Sequence, residues 1–219
     1  MATVVITGCN RGIGLELCKQ YSARGDDVIA ICREPSDELR ETDAEIVEGI
    51  DVSDDSATAR LQEALADRPI DVLINNAGIL HRDTLEDVDY DAMVEQYRVN
   101  TIGPLRVTRA LLGNLSDGSK IGIVTSRVGS VEDNESGAYY GYRSSKAAAN
   151  MIGMSLHRDL ADRGIHVMLL HPGYVATDMT GGQGVSAIAS ATGLISRLDE
   201  LGPDTSGTFW HAEGYPLPW

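Results

Sequence analysis

Apolar residues fall along the chain in short continuous runs, and stretches of helical spacing separate them. Residues 3–6, Thr-Val-Val-Ile, form a β-branched run that stops at Gly8. Over 13–23 the apolar positions Ile13, Leu17, Cys18 and Tyr21 recur at helical intervals, and Gly25 closes the segment. Residues 28–32 read as a second buried strand and 44–50 as a third. Ser53 or Asp54 is placed to cap a helix running to about Ala66. Residues 71–75 predict a fourth strand. A helical pattern then runs from about Tyr90 to Leu115, with Gly103-Pro104 as its expected kink. Residues 120–125 predict a fifth strand, 138–163 a second long helix ended at Gly164, 165–170 a sixth strand and 208–210 a seventh.

Strand and helix alternate throughout, so the predicted fold class is α/β. The expected architecture is a single-domain Rossmann-type, doubly wound parallel sheet of about seven strands over 1–219, with helices on both faces. No repeat, low-complexity tract or interdomain linker interrupts it. Residues 180–193 are rich in Gly, Ser, Ala and Thr. With the neighbouring Met179, they are expected to form a mobile segment covering the substrate.

The first turn reads Thr7-Gly8-Cys9-Asn10-Arg11-Gly12-Ile13-Gly14. It follows a strand and opens a helix, the context that a dinucleotide-binding turn requires. Glycines let the backbone approach a pyrophosphate, and the helix N-terminus offers unpaired N–H groups to it. At the end of the second strand an acidic residue would bind a ribose 2′-hydroxyl. Cys32 stands there instead, followed by Arg33, with Arg11 in the glycine turn. Two guanidiniums suit a 2′-phosphate, so NADP(H) is favoured over NAD(H); Glu34 is the residue that argues the other way. Asp51 and Val52 are placed to receive the adenine, or Asp51 to cap a helix. Asn75, Ala77 and Gly78 close the fourth strand with residues small enough for a flat ligand.

Charge narrows the partners. Asp+Glu is 33 against 18 Lys+Arg, a formal net charge of −15 in 219 residues. Nucleic acid and anionic membrane surfaces are repelled by such a chain. No apolar run is long enough to span a bilayer, and the N-terminus lacks a basic signal-peptide region. The three cysteines show no C-x-x-C spacing and the five histidines no ligand pattern, so no metal is expected and a cytoplasmic location is.

Tyr142 and Lys146 lie four residues apart in a predicted helix and so share a face. A phenol titrates near ~10, and a nearby ammonium is expected to pull it down. Tyr142 then gives a proton to a carbonyl oxygen as hydride reaches carbon, or takes it back in reverse. Ser126, at the end of the fifth strand, is expected to hold the substrate oxygen. Asn100 is expected to fix a water beside Lys146 and link the proton path to solvent.

Taken together, the turn at 7–14, Asn75 to Gly78, Asn100, Ser126, Tyr142/Lys146 and Pro172-Gly173 resemble the short-chain dehydrogenase/reductase family over essentially the whole chain. Residues 133–140, the run Tyr142-Arg143-Ser144-Ser145-Lys146 and the terminal Leu217-Pro218-Trp219 are similar to its C-factor-like and sniffer-type carbonyl reductases. The resemblance implies an NADPH-dependent reductase acting on a small ketone or aldehyde. Tyr142 is then the acid/base, Lys146 the ligand of the nicotinamide ribose, Ser126 the carbonyl holder and Asn100 a relay. Pro172, Gly173, Val175 and Thr177 match the segment that meets the nicotinamide amide and the phosphates. It also implies a homodimer or homotetramer paired through the two long helices. The chain departs from the family pattern at Arg127, where a small residue is frequent, and in its short stretch after Gly173, which implies an open pocket. Two other readings stand beside this one: an NAD-linked alcohol dehydrogenase, and a cofactor-binding signalling or regulatory protein of the same fold.

Overall fold

The computed structural model describes residues 1–219. Seven strands form one sheet: β1 (Thr3–Thr7), β2 (Asp27–Ile31), β3 (Glu45–Val47), β4 (Ile70–Asn75), β5 (Leu115–Val124), β6 (His166–His171) and β7 (Thr208–His211). Their order is β3-β2-β1-β4-β5-β6-β7, and every pairing is parallel. A parallel sheet covered on both faces has strands buried on both sides, which is why they read as continuous apolar runs.

Successive side chains of a strand go to opposite layers. Val4 and Ile6 of β1, with Val28 and Ala30 of β2, pack against Leu17, Cys18 and Tyr21 of α1 (Gly12–Ala23) and Leu194 and Leu198 of α7 (Ala187–Asp199). Val5, Ile29 and Ile31 face the other layer. There they meet Leu61 and Leu65 of α3 (Ser56–Leu65), Val107 and Ala110 of α5 (Gly103–Ala110) and Leu160 of α6 (Tyr140–Leu160). A short α2 (Asp37–Arg40) and α4 (Tyr90–Tyr97) complete the helices. The doubly wound α/β architecture is therefore as expected.

Four details differ from the sequence reading. β3 is only three residues long, because its exposed Glu45 and half-buried neighbours sit at the sheet edge. The cap expected at Ser53 or Asp54 belongs to a turn. Asp51 accepts from the Ser53 N–H and Asp54 from the Ser56 N–H, and α3 begins only at Ser56. The helix expected over 90–115 is α4, a π-helical turn at Arg98–Ile102, and α5, with Pro104 in the first turn of α5 directly after the π-helical turn. Half of the expected mobile segment, from Ala187 onward, is helix α7, capped by the Ser186 hydroxyl and packed on α1.

Candidate active site

The sheet order reverses between β1 and β4, so the loops leaving these two strands diverge and leave a crevice at their carboxyl ends. The loops are tied together at its floor. The Thr7 hydroxyl accepts from the Asn76 and Ala77 N–H groups at 3.1 Å each, and the Asn76 amide donates to the Thr7 and Gly8 carbonyls. A cleft of about 690 Å³ opens above this tie.

One end of the cleft is lined by Gly8, Asn10, Arg11, Gly12, Ile13 and Gly14. A methyl group on Gly8 would lie 2.8 Å from the Ala77 Cα, and one on Gly14 would lie 2.2 Å from the Gly8 carbonyl oxygen. These glycines are what lets strand, turn and helix close to this distance. Helix α1 has no side-chain cap and no acidic residue in its first turn. Its N–H groups and dipole are thus free to hold an anion. Cradle and uncapped helix together fit a dinucleotide pyrophosphate.

Farther along this end lie Cys32, Arg33, Asp51 and Val52. The Arg33 guanidinium is 72% exposed and stands 4.0 Å from Asp51; Arg11 is 69% exposed and pairs with Asp178 at 3.0 Å. Both heads are solvated and weakly held, since exposed pairs contribute ~1 kcal/mol or less. Both are able to turn to a phosphate.

At the other end Tyr142 and Lys146 enter from α6. Tyr142 is half-buried and Lys146 buried, and the lysine Nζ lies 5.7 Å from the centre of the phenol ring. The ammonium donates to the Val124 carbonyl at 3.0 Å. Ser126, buried two residues past β5, accepts from the Val128 N–H and stands near enough to the Tyr142 phenol to favour its ionised form.

The electrostatics reverse the sequence-based expectation. Loss of hydration pushes the Tyr142 phenol up to about 12, with the Ser126 contact pulling only partly the other way. The same burial brings Lys146 down to about 8. Desolvation outweighs the attraction expected between ammonium and phenolate, because each charged form loses water on entering the cleft. At neutral pH the phenol therefore holds its proton.

Several expected residues fall elsewhere. Asn75 points into the core, donating to the Thr108 hydroxyl at 3.2 Å; its neighbour Asn76 lines the cleft, as the twofold alternation of a strand dictates. The Asn100 side chain makes three hydrogen bonds. It accepts from the Ile79 N–H, and its amide donates to the Ile79 carbonyl and the Ser145 hydroxyl. These bonds tie the loop after β4 to α6. Pro172, Ala176 and Thr177 line the cleft, whereas Gly173 and the buried Val175 stand behind it. Met179, from the segment expected to cover the substrate, lines the cleft; Ile79, Leu80, His81 and Val99 also line it and were not anticipated, since they belong to no motif.

The protein-family model described as short chain dehydrogenase matches residues 2–185. The 1-hydroxy-2-glutathionyl-2-methyl-3-butene dehydrogenase of Rhodococcus sp. (strain AD45) is 41% identical over 226 residues, covering 100% of both chains. The C-signal protein of Myxococcus xanthus is 44% identical over 155 residues, 69% of this chain and 93% of that one. Among solved structures, the NADPH-bound carbonyl reductase from chicken fatty liver superposes with a TM-score of 0.89 at 32% identity, over 100% of this chain and 99% of that one. The carbonyl reductase Sniffer of D. melanogaster also gives 0.89, at 29% identity and full coverage of both chains.

Proposed function

The chain belongs to the short-chain dehydrogenase family, and from that premise we propose that it is an NADP(H)-preferring carbonyl reductase in which Tyr142 is the proton donor. Its class is that of the NAD(P)H-dependent oxidoreductases that interconvert carbonyl and alcohol. The observation that carries the reading is that Tyr142 and Lys146, 5.7 Å apart from ring centre to Nζ, line the same cleft as the glycine turn.

The bound nicotinamide would supply hydride to the carbonyl carbon. The residues of this chain do the rest. Gly8, Gly12 and Gly14 let the α1 N-terminus reach the pyrophosphate, and Arg11 and Arg33 take the 2′-phosphate. Asp51 and Val52 flank the adenine. The Ser126 hydroxyl donates to the carbonyl oxygen, and Tyr142 delivers the proton there as negative charge builds. Lys146 binds the ribose and steadies the phenolate left behind.

Arg33→Ala is expected to weaken NADPH binding by about tenfold or more, the scale of losing hydrogen bonds to a charged group, with NADH within threefold. Titration of NADPH and NADH fluorescence reads this directly. Equal losses for both cofactors would place Arg33 outside the phosphate pocket.

One observation favours alcohol oxidation as a second reading: the Rhodococcus relative, matched over its whole length, carries the name of a dehydrogenase. Glu34, beside Arg33, is the residue that would support NAD as its cofactor. Wild-type enzyme binding NADH more tightly than NADPH would decide for that reading.

No helix is long and apolar enough to cross a membrane. Ile102 and Leu105 at the junction into α5 and Met151 on α6 are exposed, and we propose that they pair in a homo-oligomer. Light scattering should give a dimer or tetramer; a monomer at working concentration would refute the pairing.

A further inference from the structure

Helix α6 carries Tyr142 as its third residue, and the entry to that helix is unusual. Residues Gly137, Ala138 and Tyr139 all have left-handed backbones, with φ of 66°, 53° and 53°. Two of the three carry a β-carbon, and that conformation costs such residues energy. Tyr139, at the N-cap position, offers no side-chain bond to the helix. The turn needs external support, and it comes from a residue 57 positions away in sequence.

That residue is Asp83, in the loop after β4. It is 8% exposed. Its main-chain oxygen accepts from the Tyr139 N–H at 3.0 Å. One carboxylate oxygen accepts from the Tyr140 N–H and the other from the Gly141 N–H at 3.0 Å. Three consecutive amides leading into α6 thus end on one residue. The negative charge also sits where the helix dipole favours it. Arg143 holds the opposite polarity of the same turn, donating to the carbonyls of Gly137 and Ala138 and to that of Val128. The loop bearing Asp83 also supplies Gly78, Ile79, Leu80 and His81 to the cleft wall.

We propose that Asp83 is a positioning residue for catalysis: its carboxylate fixes the first turn of α6 and so sets the height of the Tyr142 hydroxyl against the wall that Gly78 to His81 form. This rests on Tyr142 being the proton donor. Gly141, which takes one of the two carboxylate bonds, is the immediate neighbour of Tyr142. A drift of the turn by ~1 Å would move the phenol out of line with the carbonyl, and such misplacement costs about 10²-fold.

The test compares Asp83→Ala, Asp83→Asn and Tyr142→Phe with wild type. It uses NADPH and a panel of small aldehydes, ketones and quinones, with NADPH affinity followed separately by fluorescence. Asp83→Ala is expected to lower kcat about 10²-fold while the NADPH Kd stays within threefold. Asp83→Asn should recover to about tenfold below wild type, because its amide oxygen still accepts one N–H. Should the alanine variant fail to fold, the asparagine variant carries the same split between kcat and Kd. Unchanged kcat in folded Asp83 variants, with Tyr142→Phe inactive, would overturn the role of Asp83 alone. An equal loss in kcat and NADPH affinity would overturn it too, reducing Asp83 to a support of the cleft. Full turnover by Tyr142→Phe would instead remove the reading on which the proposal rests.

Discussion

Tyr142→Phe is expected to lower kcat about 10³-fold, within the usual reach of general acid catalysis, and to leave NADPH affinity within threefold. The substitution removes one oxygen and keeps the ring. The hydroxyl it removes is the group that meets Ser126, and it holds its proton far above neutral pH, with a value near 12. A proton donor is useful in that state. It is fully loaded at pH 7, and its conjugate base becomes affordable only as the carbonyl oxygen gathers charge. Steady-state reduction of a carbonyl panel, with fluorescence titration of NADPH, separates the two quantities. Wild-type turnover by the variant would end the enzymatic assignment of Tyr142 and turn attention to a binding or signalling role.

Much of this scaffold could be read in the sequence because a parallel sheet with two covered faces imposes a plain pattern. β1, β2, β4 and β6 each bury nearly every residue, so apolar runs mark them without ambiguity. Helix α7 was hidden for the opposite reason. Its Gly, Ala, Ser and Thr residues look like a loose segment, yet they are small because the helix packs closely. A methyl on Gly193 would lie 2.5 Å from the Ala212 carbonyl oxygen, Ser190 donates to the Pro172 carbonyl, and Gln20 of α1 reaches the Ile188 carbonyl. Low side-chain volume is ambiguous in a sequence, since mobility and close approach both call for it.

Within the site, the glycine turn and the Tyr142/Lys146 pair were legible because spacing alone fixes them. Asn75 and Asn76 were not, since the alternation of a strand is invisible until its register is known. Asp83 was beyond reach, because a cap supplied from another loop leaves no local motif. The sign of the Tyr142 shift was also out of reach. Sequence spacing supplies the distance between two charges but not the water each loses, and here the water decides.

That sign governs the second large effect, at Lys146. Lys146→Met is expected to lower kcat about 10²-fold. At the observed 5.7 Å between ammonium and ring centre, with an effective dielectric constant near 20, the attraction on a developing phenolate is about 3 kcal/mol, or roughly two orders of magnitude. In wild type the same loss should come with pH. Burial brings the lysine down to about 8, so kcat/KM for reduction is expected to be level at lower pH and to fall as pH rises through about 8. Tyr142, near 12, titrates too high to add a limb in this range. Stability must move in the opposite direction. The unfolded chain's lysine titrates near 10.5, so from about 8 to 10.5 the unfolded state binds more protons than the folded one, and stability gains as pH rises. Lys146→Met should lack both the falling activity limb and this gain, which keeps loss of charge distinct from alkaline unfolding. A methionine variant that kept the limb near 8 would assign it to another group and leave Lys146 without its part in proton transfer.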